Sequence, residues 1–160
     1  MMVYTMNVKV LPIDQVLHYK PKEPTYAIRI FSPWEVRTQL YGKLHEPSQN
    51  LTHIASYIFD DVTPQKKSIN GIEGMLFREE DALQMLTDYA KYGSGSKGFL
   101  VSCTRGINRS PAVALAFSTI HGWSAESELA KKLNLDLANK HVYRTILKVA
   151  MNYPDLVGIR

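Results

Sequence analysis

The only cysteine of the chain, Cys103, opens the run Cys103-Thr104-Arg105-Gly106-Ile107-Asn108-Arg109-Ser110. The apolar segment Phe99-Leu100-Val101 precedes it, and a small apolar segment beginning at Pro111 follows it. That order predicts a strand, a short loop and a helix N-terminus. A cysteine attacks as its thiolate, and a helix N-terminus with nearby cations favours that form. The backbone N–H groups of residues 104–108 can curl into a nest for a tetrahedral oxyanion, with Thr104, Arg105, Gly106, Ile107 and Asn108 as the phosphate-binding loop. Gly106 supplies the backbone freedom that the curl requires. Arg109 carries a planar fork of donors that matches two phosphate oxygens. Ser110, next in line, is placed to donate a hydrogen bond to the sulfur. The chemistry these residues allow is capture of a phosphate group and attack on its phosphorus.

A departing alkoxide or phenoxide needs a proton. Asp60 and Asp61 follow the apolar run from Ile54 to Phe59 and are the candidate acids, although aspartate is also a common turn residue where strands end. Arg109 and the backbone can supply the charge stabilisation. No cofactor and no metal is therefore expected, and no Cys/His cluster suggests zinc.

The elements that must position these residues are legible from pattern. Val8 to Leu11, Tyr26 to Phe31, Ile54 to Phe59 and Phe99 to Ser102 read as strands. Ile13 to Tyr19 reads as a short helix, Trp34 to Leu40 is ambiguous, and His45 to Asn50 is a loop. Val62 to Gly74, with Pro64, Gly71 and Gly74, reads as a long surface loop. Glu79, Glu80 and Asp81 open a helix whose Leu83, Leu86, Tyr89 and Ala90 share a face and which Gly93 closes. Pro111 fits the first turn of a helix that runs to His121 and stops at Gly122. It is apolar nearly all round, which predicts burial. Ser124 is a candidate cap for a further helix, with Glu126 and Glu128 near its start. Val142, Ile146, Val149 and Ala150 put a last helix over His141 to Tyr153. Strands early and helices alternating later predict an α/β fold, a central, mostly parallel sheet flanked by helices.

The chain has 160 residues, 45% of them apolar and 21% charged. That fits one globular domain over residues 1–160 and argues against extended disorder. No apolar stretch is long enough for a bilayer, and the start lacks the build of a secretion signal, so no membrane partner is expected. A lone thiol suits a reducing, cytoplasmic setting. The formal net charge of +4 suits an anionic substrate without demanding nucleic acid. Arg105 is equally readable as a substrate contact or a solvent-facing cation, and Asn108 as a brace for loop carbonyls. His53, His121 and His141 read as core or surface residues. Tyr143 and Arg144 read as packing residues, and Trp34 and Trp123 as core or edge anchors.

The run from Cys103 to Ser110 resembles the signature loop of the cysteine-dependent protein tyrosine phosphatases, and the short chain resembles their dual-specificity branch. Phe59-Asp60-Asp61-Val62 together with Asn139-Lys-His-Val-Tyr-Arg144 is similar to small bacterial tyrosine-phosphatase-like proteins. The resemblance implies a hydrolase with Cys103 as nucleophile, Arg109 and the loop on the phosphate, Ser110 assisting, and Asp61 in preference to Asp60 as the acid. It implies a phosphorylated protein or peptide substrate, phosphotyrosine foremost, with phosphoserine and phosphothreonine as further candidates. The family's histidine before the nucleophile is Ser102 here, which keeps a catalytically inactive phosphate-binding module in view. Thr104 and Asn108 also resemble the loop of the superfamily's RNA 5′-triphosphatases, so RNA is a second candidate partner. Phosphoinositides are a third, with fewer loop cations here than their enzymes carry.

Overall fold

In the computed structural model, residues 6–37, 49–123 and 135–158 are described. Four parallel strands form the central sheet: β1 (Asn7–Pro12), β2 (Thr25–Phe31), β3 (Leu51–Ile58) and β6 (Gly98–Cys103). Their spatial order is β1-β6-β2-β3, so the strand that ends in Cys103 is interior. In register, Val10 lies beside Val101 and Val101 beside Ile28. Alternation assigns the faces: Tyr26, Ile28, Ile30, Phe99 and Val101 join the main core, while Leu11 and Phe31 join a smaller cluster with Ile13 and Val16. The last two belong to α1 (Ile13–Val16), shorter than the pattern suggested.

Three helices pack on the main face. They are α2 (Glu79–Tyr92), α3 (Arg109–His121) and α4 (Lys140–Asn152). Ten of the thirteen residues of α3 are buried, as its all-round apolar surface requires. Gly122, at φ +68°, ends it in the left-handed conformation that glycine adopts without strain. In α4, Val142, Ile146, Val149 and Ala150 form the buried stripe. In α2 the stripe is rotated from the expected one: Ala82, Met85 and Leu86 are buried, Leu83 and Tyr89 are partly so, and Ala90 is exposed. Tyr89 sets its ring edge-on to Tyr26, Phe99, Phe117 and Trp123 at centroid distances of 5.0 to 5.7 Å. Trp123 is thus a core anchor.

The expected loop from Val62 to Gly74 is partly ordered as β-structure. Thr63 and Lys66 form an isolated bridge, and β4 (Ser68–Ile69) pairs antiparallel with β5 (Ile72–Glu73). Asn70 and Gly71 between them both have positive φ, 52° and 78°, the geometry of a tight primed hairpin turn. The hairpin is exposed, so no burial pattern marked it. The segment after Ser32, ambiguous by pattern, begins with a 3-10 turn at Pro33–Arg37. Most of the loop at His45 to Asn50 and the helix expected after Ser124 lie outside the described residues. Among the described residues, no helix is long and apolar enough to cross a membrane.

Candidate active site

Cys103 ends β6, residues 104–108 turn, and Arg109 begins α3. Gly106 sits at φ +69°, and a Cβ there would meet the backbone of Leu11 and Pro12, at 2.8 Å from the Pro12 nitrogen. The loop therefore packs directly onto the end of β1, and only glycine fits. Cys103 is buried at the foot of the loop. Its Sγ lies 3.0 Å from the Ser110 Oγ and accepts from the Ser110 N–H at 3.4 Å. Ser110 thus presents both its hydroxyl and its N–H to the sulfur.

Arg109 is held on two sides. One terminal nitrogen donates to the Ser32 Oγ at 2.9 Å and to the Phe59 carbonyl at 2.7 Å. The other donates to the Thr104 Oγ1 at 2.8 Å. Thr104 in turn donates to the buried Glu35 Oε1 at 2.6 Å, which also accepts from the Ser32 N–H at 2.8 Å. A chain of hydrogen bonds thus runs from the 3-10 turn through the loop to the guanidinium. Ser32, Thr104, Arg109 and Cys103 line one cleft of about 790 Å³.

The two candidate acids part company. The Asp60 Oδ2 accepts from the Met75 N–H at 2.7 Å, while its own N–H donates to the Met75 carbonyl, which fastens the far end of the hairpin segment. Asp61 lines the cleft, and its Oδ1 accepts from the Asn139 Nδ2 at 2.9 Å. Asn139 also donates to the Val62 carbonyl at 3.1 Å and caps α4 by accepting from the Val142 N–H. The structure brings Asp61 to Cys103 and Arg109 and gives Asp60 a bracing task.

Thr104 and Asn108 both serve the loop itself. Thr104 bridges Glu35 and Arg109, and the Asn108 amide donates to the Leu137 carbonyl. Arg105 is exposed along the cleft, with no side-chain partner among the described residues. Ile107 is half-buried in the loop. Ser102 is fully buried, and its Oγ has no hydrogen-bond partner among the described residues. It lies beside Arg29 in register, whose Nε and one terminal nitrogen likewise have no partner among the described residues. His53 stacks on Tyr92, His121 bonds the Phe117 carbonyl and His141 the Phe77 carbonyl, all structural tasks. Trp34 corrects the expectation of an anchor: it is 62% exposed and lines the cleft.

Sequence reasoning missed Glu35, Ser32, Asn139 and the placement of Trp34. Ser32-Pro33-Trp34-Glu35 carried a signal, because a serine followed three residues later by glutamate marks a capped helical start. Asn139 directly before an apolar-periodic segment is likewise an N-cap type. Among the described residues no group of three or more Cys, His, Asp and Glu side chains is arranged to hold a metal ion.

No family model matches the chain, and no curated protein matches it. The solved structures do give a match. The crystal structure of Tk-PTP in the active form superposes with a TM-score of 0.53 at 12% identity, covering 89% of this chain and 92% of that one. The likeness is one of fold: an α/β arrangement with a central four-stranded parallel sheet flanked by helices.

Proposed function

We propose that the chain is a phosphatase that hydrolyses phosphomonoesters through a phosphocysteine intermediate, with phosphotyrosine on proteins as the leading substrate. The observation that carries this reading is the pairing at one helix N-terminus. A buried cysteine hydrogen-bonds both the hydroxyl and the N–H of Ser110, and a tethered arginine stands in the same cleft. In the first step the Cys103 thiolate attacks phosphorus. The phosphorus–oxygen bond breaks, and Asp61, protonated on the Oδ2 that Asn139 leaves open, gives its proton to the departing oxygen. Arg109 and the loop N–H groups hold the equatorial oxygens as charge develops on them. In the second step the Asp61 carboxylate takes a proton from water as that water attacks phosphorus. The phosphorus–sulfur bond breaks, and inorganic phosphate and the thiolate are released.

A second reading, a polyphosphate substrate such as the 5′ end of a triphosphorylated RNA, is favoured by three cations on the cleft. Lys66, Arg105 and Lys140 come from three different segments and have no ion-pair partner among the described residues. Thr104 and Asn108 give that reading less support than their types suggested, because both side chains are engaged within the protein.

The test is hydrolysis of para-nitrophenyl phosphate, a phosphotyrosine peptide and triphosphorylated RNA between pH 5 and 8. Turnover is expected to be vanadate-sensitive, abolished in Cys103→Ser and lowered by about 10²- to 10⁴-fold in Asp61→Asn. A wild-type protein that binds phosphopeptide and turns over none of the three is an inactive binding module, and the enzyme reading then fails.

A further inference from the structure

Resting on the phosphatase reading, we infer that Trp34 is a specificity-determining residue whose ring receives a flat aromatic leaving group, so that the cleft selects aryl over alkyl phosphates. The phenylalanines Phe31, Phe59, Phe77 and Phe99 are fully buried. Trp34, three residues after Phe31, is 62% exposed. An exposed tryptophan on a loose loop needs no explanation, but this one stands on a fixed base. Pro33 restricts the backbone before it. The Glu35 N–H donates to the Ser32 carbonyl at 2.9 Å, and the Glu35 carboxylate grips both the Ser32 N–H and the Thr104 hydroxyl. The same carboxylate therefore holds the turn that carries Trp34 and the loop that would carry the phosphate.

The rest of the cleft agrees. Exposed Ile69 comes from the hairpin and exposed Leu137 from the 3-10 turn Leu135–Leu137, and both line the cleft that Cys103 and Arg109 floor. The floor is cationic, and the apolar side chains Trp34, Ile69 and Leu137, from three segments, stand at its sides among polar neighbours. A phosphate seated on the floor sends its ester oxygen outward between those sides. An aryl group there gains a ring face and apolar contact, while a hydroxylated alkyl group gains neither. Ring pairing of this kind is worth roughly threefold to tenfold in affinity.

The experiment compares phenyl phosphate with glycerol 2-phosphate in wild type, Trp34→Ala and Trp34→Phe. The ratio of kcat/KM for the two substrates is expected to fall about threefold to tenfold in Trp34→Ala, with the change carried by KM. Trp34→Phe should keep at least half of the wild-type ratio. An unchanged ratio in Trp34→Ala overturns the inference and leaves the phosphatase reading standing. A second measurement needs no turnover. The chain has two tryptophans, and Trp123 is 4% exposed in the core. In Cys103→Ser, phenyl phosphate should change the emission of Trp34, and the change should vanish when Trp34→Phe is added. Equal titrations with phenyl phosphate and glycerol 2-phosphate overturn the inference. A Trp34-dependent response in a wild-type protein that hydrolyses neither substrate supports the ring site and sinks the phosphatase reading.

Discussion

Removing Glu35 should damage both the stability of the fold and the grip on oxyanions, and the two losses can be scaled from the hydrogen bonds it makes. The Glu35 Oε1 accepts from the Ser32 N–H and from the Thr104 hydroxyl, both buried or partly buried. A hydrogen bond to a charged group contributes about 1.5–3 kcal/mol, and a buried donor left alone costs a similar amount. Glu35→Ala therefore predicts a loss of about 3–5 kcal/mol. For a chain of 160 residues that corresponds to a fall in Tm of about 10 °C. Glu35→Gln keeps an acceptor and loses the charge, so each bond falls to the neutral range and the loss shrinks to about 2 kcal/mol. Urea unfolding of wild type and both variants gives the stabilities. Vanadate titration of the folded proteins gives the second quantity: Thr104, released from Glu35, no longer fixes the Arg109 fork, and affinity should drop by about tenfold in Glu35→Ala. If Glu35→Ala unfolds within 1 kcal/mol of wild type and binds vanadate equally well, the chain from Glu35 through Thr104 does not hold Arg109, and the reasoning is wrong.

Three further perturbations follow from single contacts. Gly106→Ala places a Cβ 2.8 Å from the Pro12 nitrogen at φ +69°, so phosphate binding should be lost and the Tm should fall, both readable by calorimetry. Burial pulls the Arg29 guanidinium well below its ordinary range, to about 10, a cost of about 3 kcal/mol at neutral pH. Arg29→Met should relieve part of that cost and raise stability at pH 7. The gain should shrink as pH climbs above 10, where the native arginine gives up its proton before the unfolded one does, and urea unfolding on either side of that pH checks it. Asn139→Ala removes the donor that holds Asp61 and the cap of α4, so it should destabilise by about 1–2 kcal/mol. It should also lower kcat for para-nitrophenyl phosphate more than it changes KM.

The parts of the fold that were legible are those where burial writes a period into the sequence. Helix α3 has almost no polar face, and α4 repeats Val142, Ile146 and Val149 at helical spacing, so each announces itself. The paired strands β4 and β5 are two residues long and exposed, so they carry no such imprint. Their signal lay in Asn70-Gly71, a turn pair that states backbone geometry directly. At the site, the loop from Cys103 to Ser110 was legible because its residues are consecutive. Glu35, Ser32 and Asn139 act across 69, 77 and 78 positions respectively, and no local pattern reports a partner at that distance. The exposure of Trp34 was illegible for a related reason. Its neighbours Phe31 and Glu35 are buried, and only the direction of the turn decides which way the indole faces.

The separate placements of Asp60 and Asp61 follow from how the chain continues after β3. Asp60 and Asp61 lie two and three residues past the end of β3, and their carboxylates take different partners. Asp60 turns to the backbone of Met75, where the chain returns from the hairpin. Asp61 turns to Asn139, at the start of α4. The hairpin and the helix thus clamp the segment between them from two sides, and Asp61, the proposed acid, is fixed by structure that lies far from the Cys103–Ser110 loop in sequence. The same Asn139 reaches that loop as well, because its N–H donates to the Asn108 carbonyl at 2.9 Å. One residue therefore ties the segment that carries Asp61 to the loop between Cys103 and Arg109. A shift of the α4 start relative to the sheet moves Asp61 and the loop together, which preserves their geometry where independent tethers would let it drift.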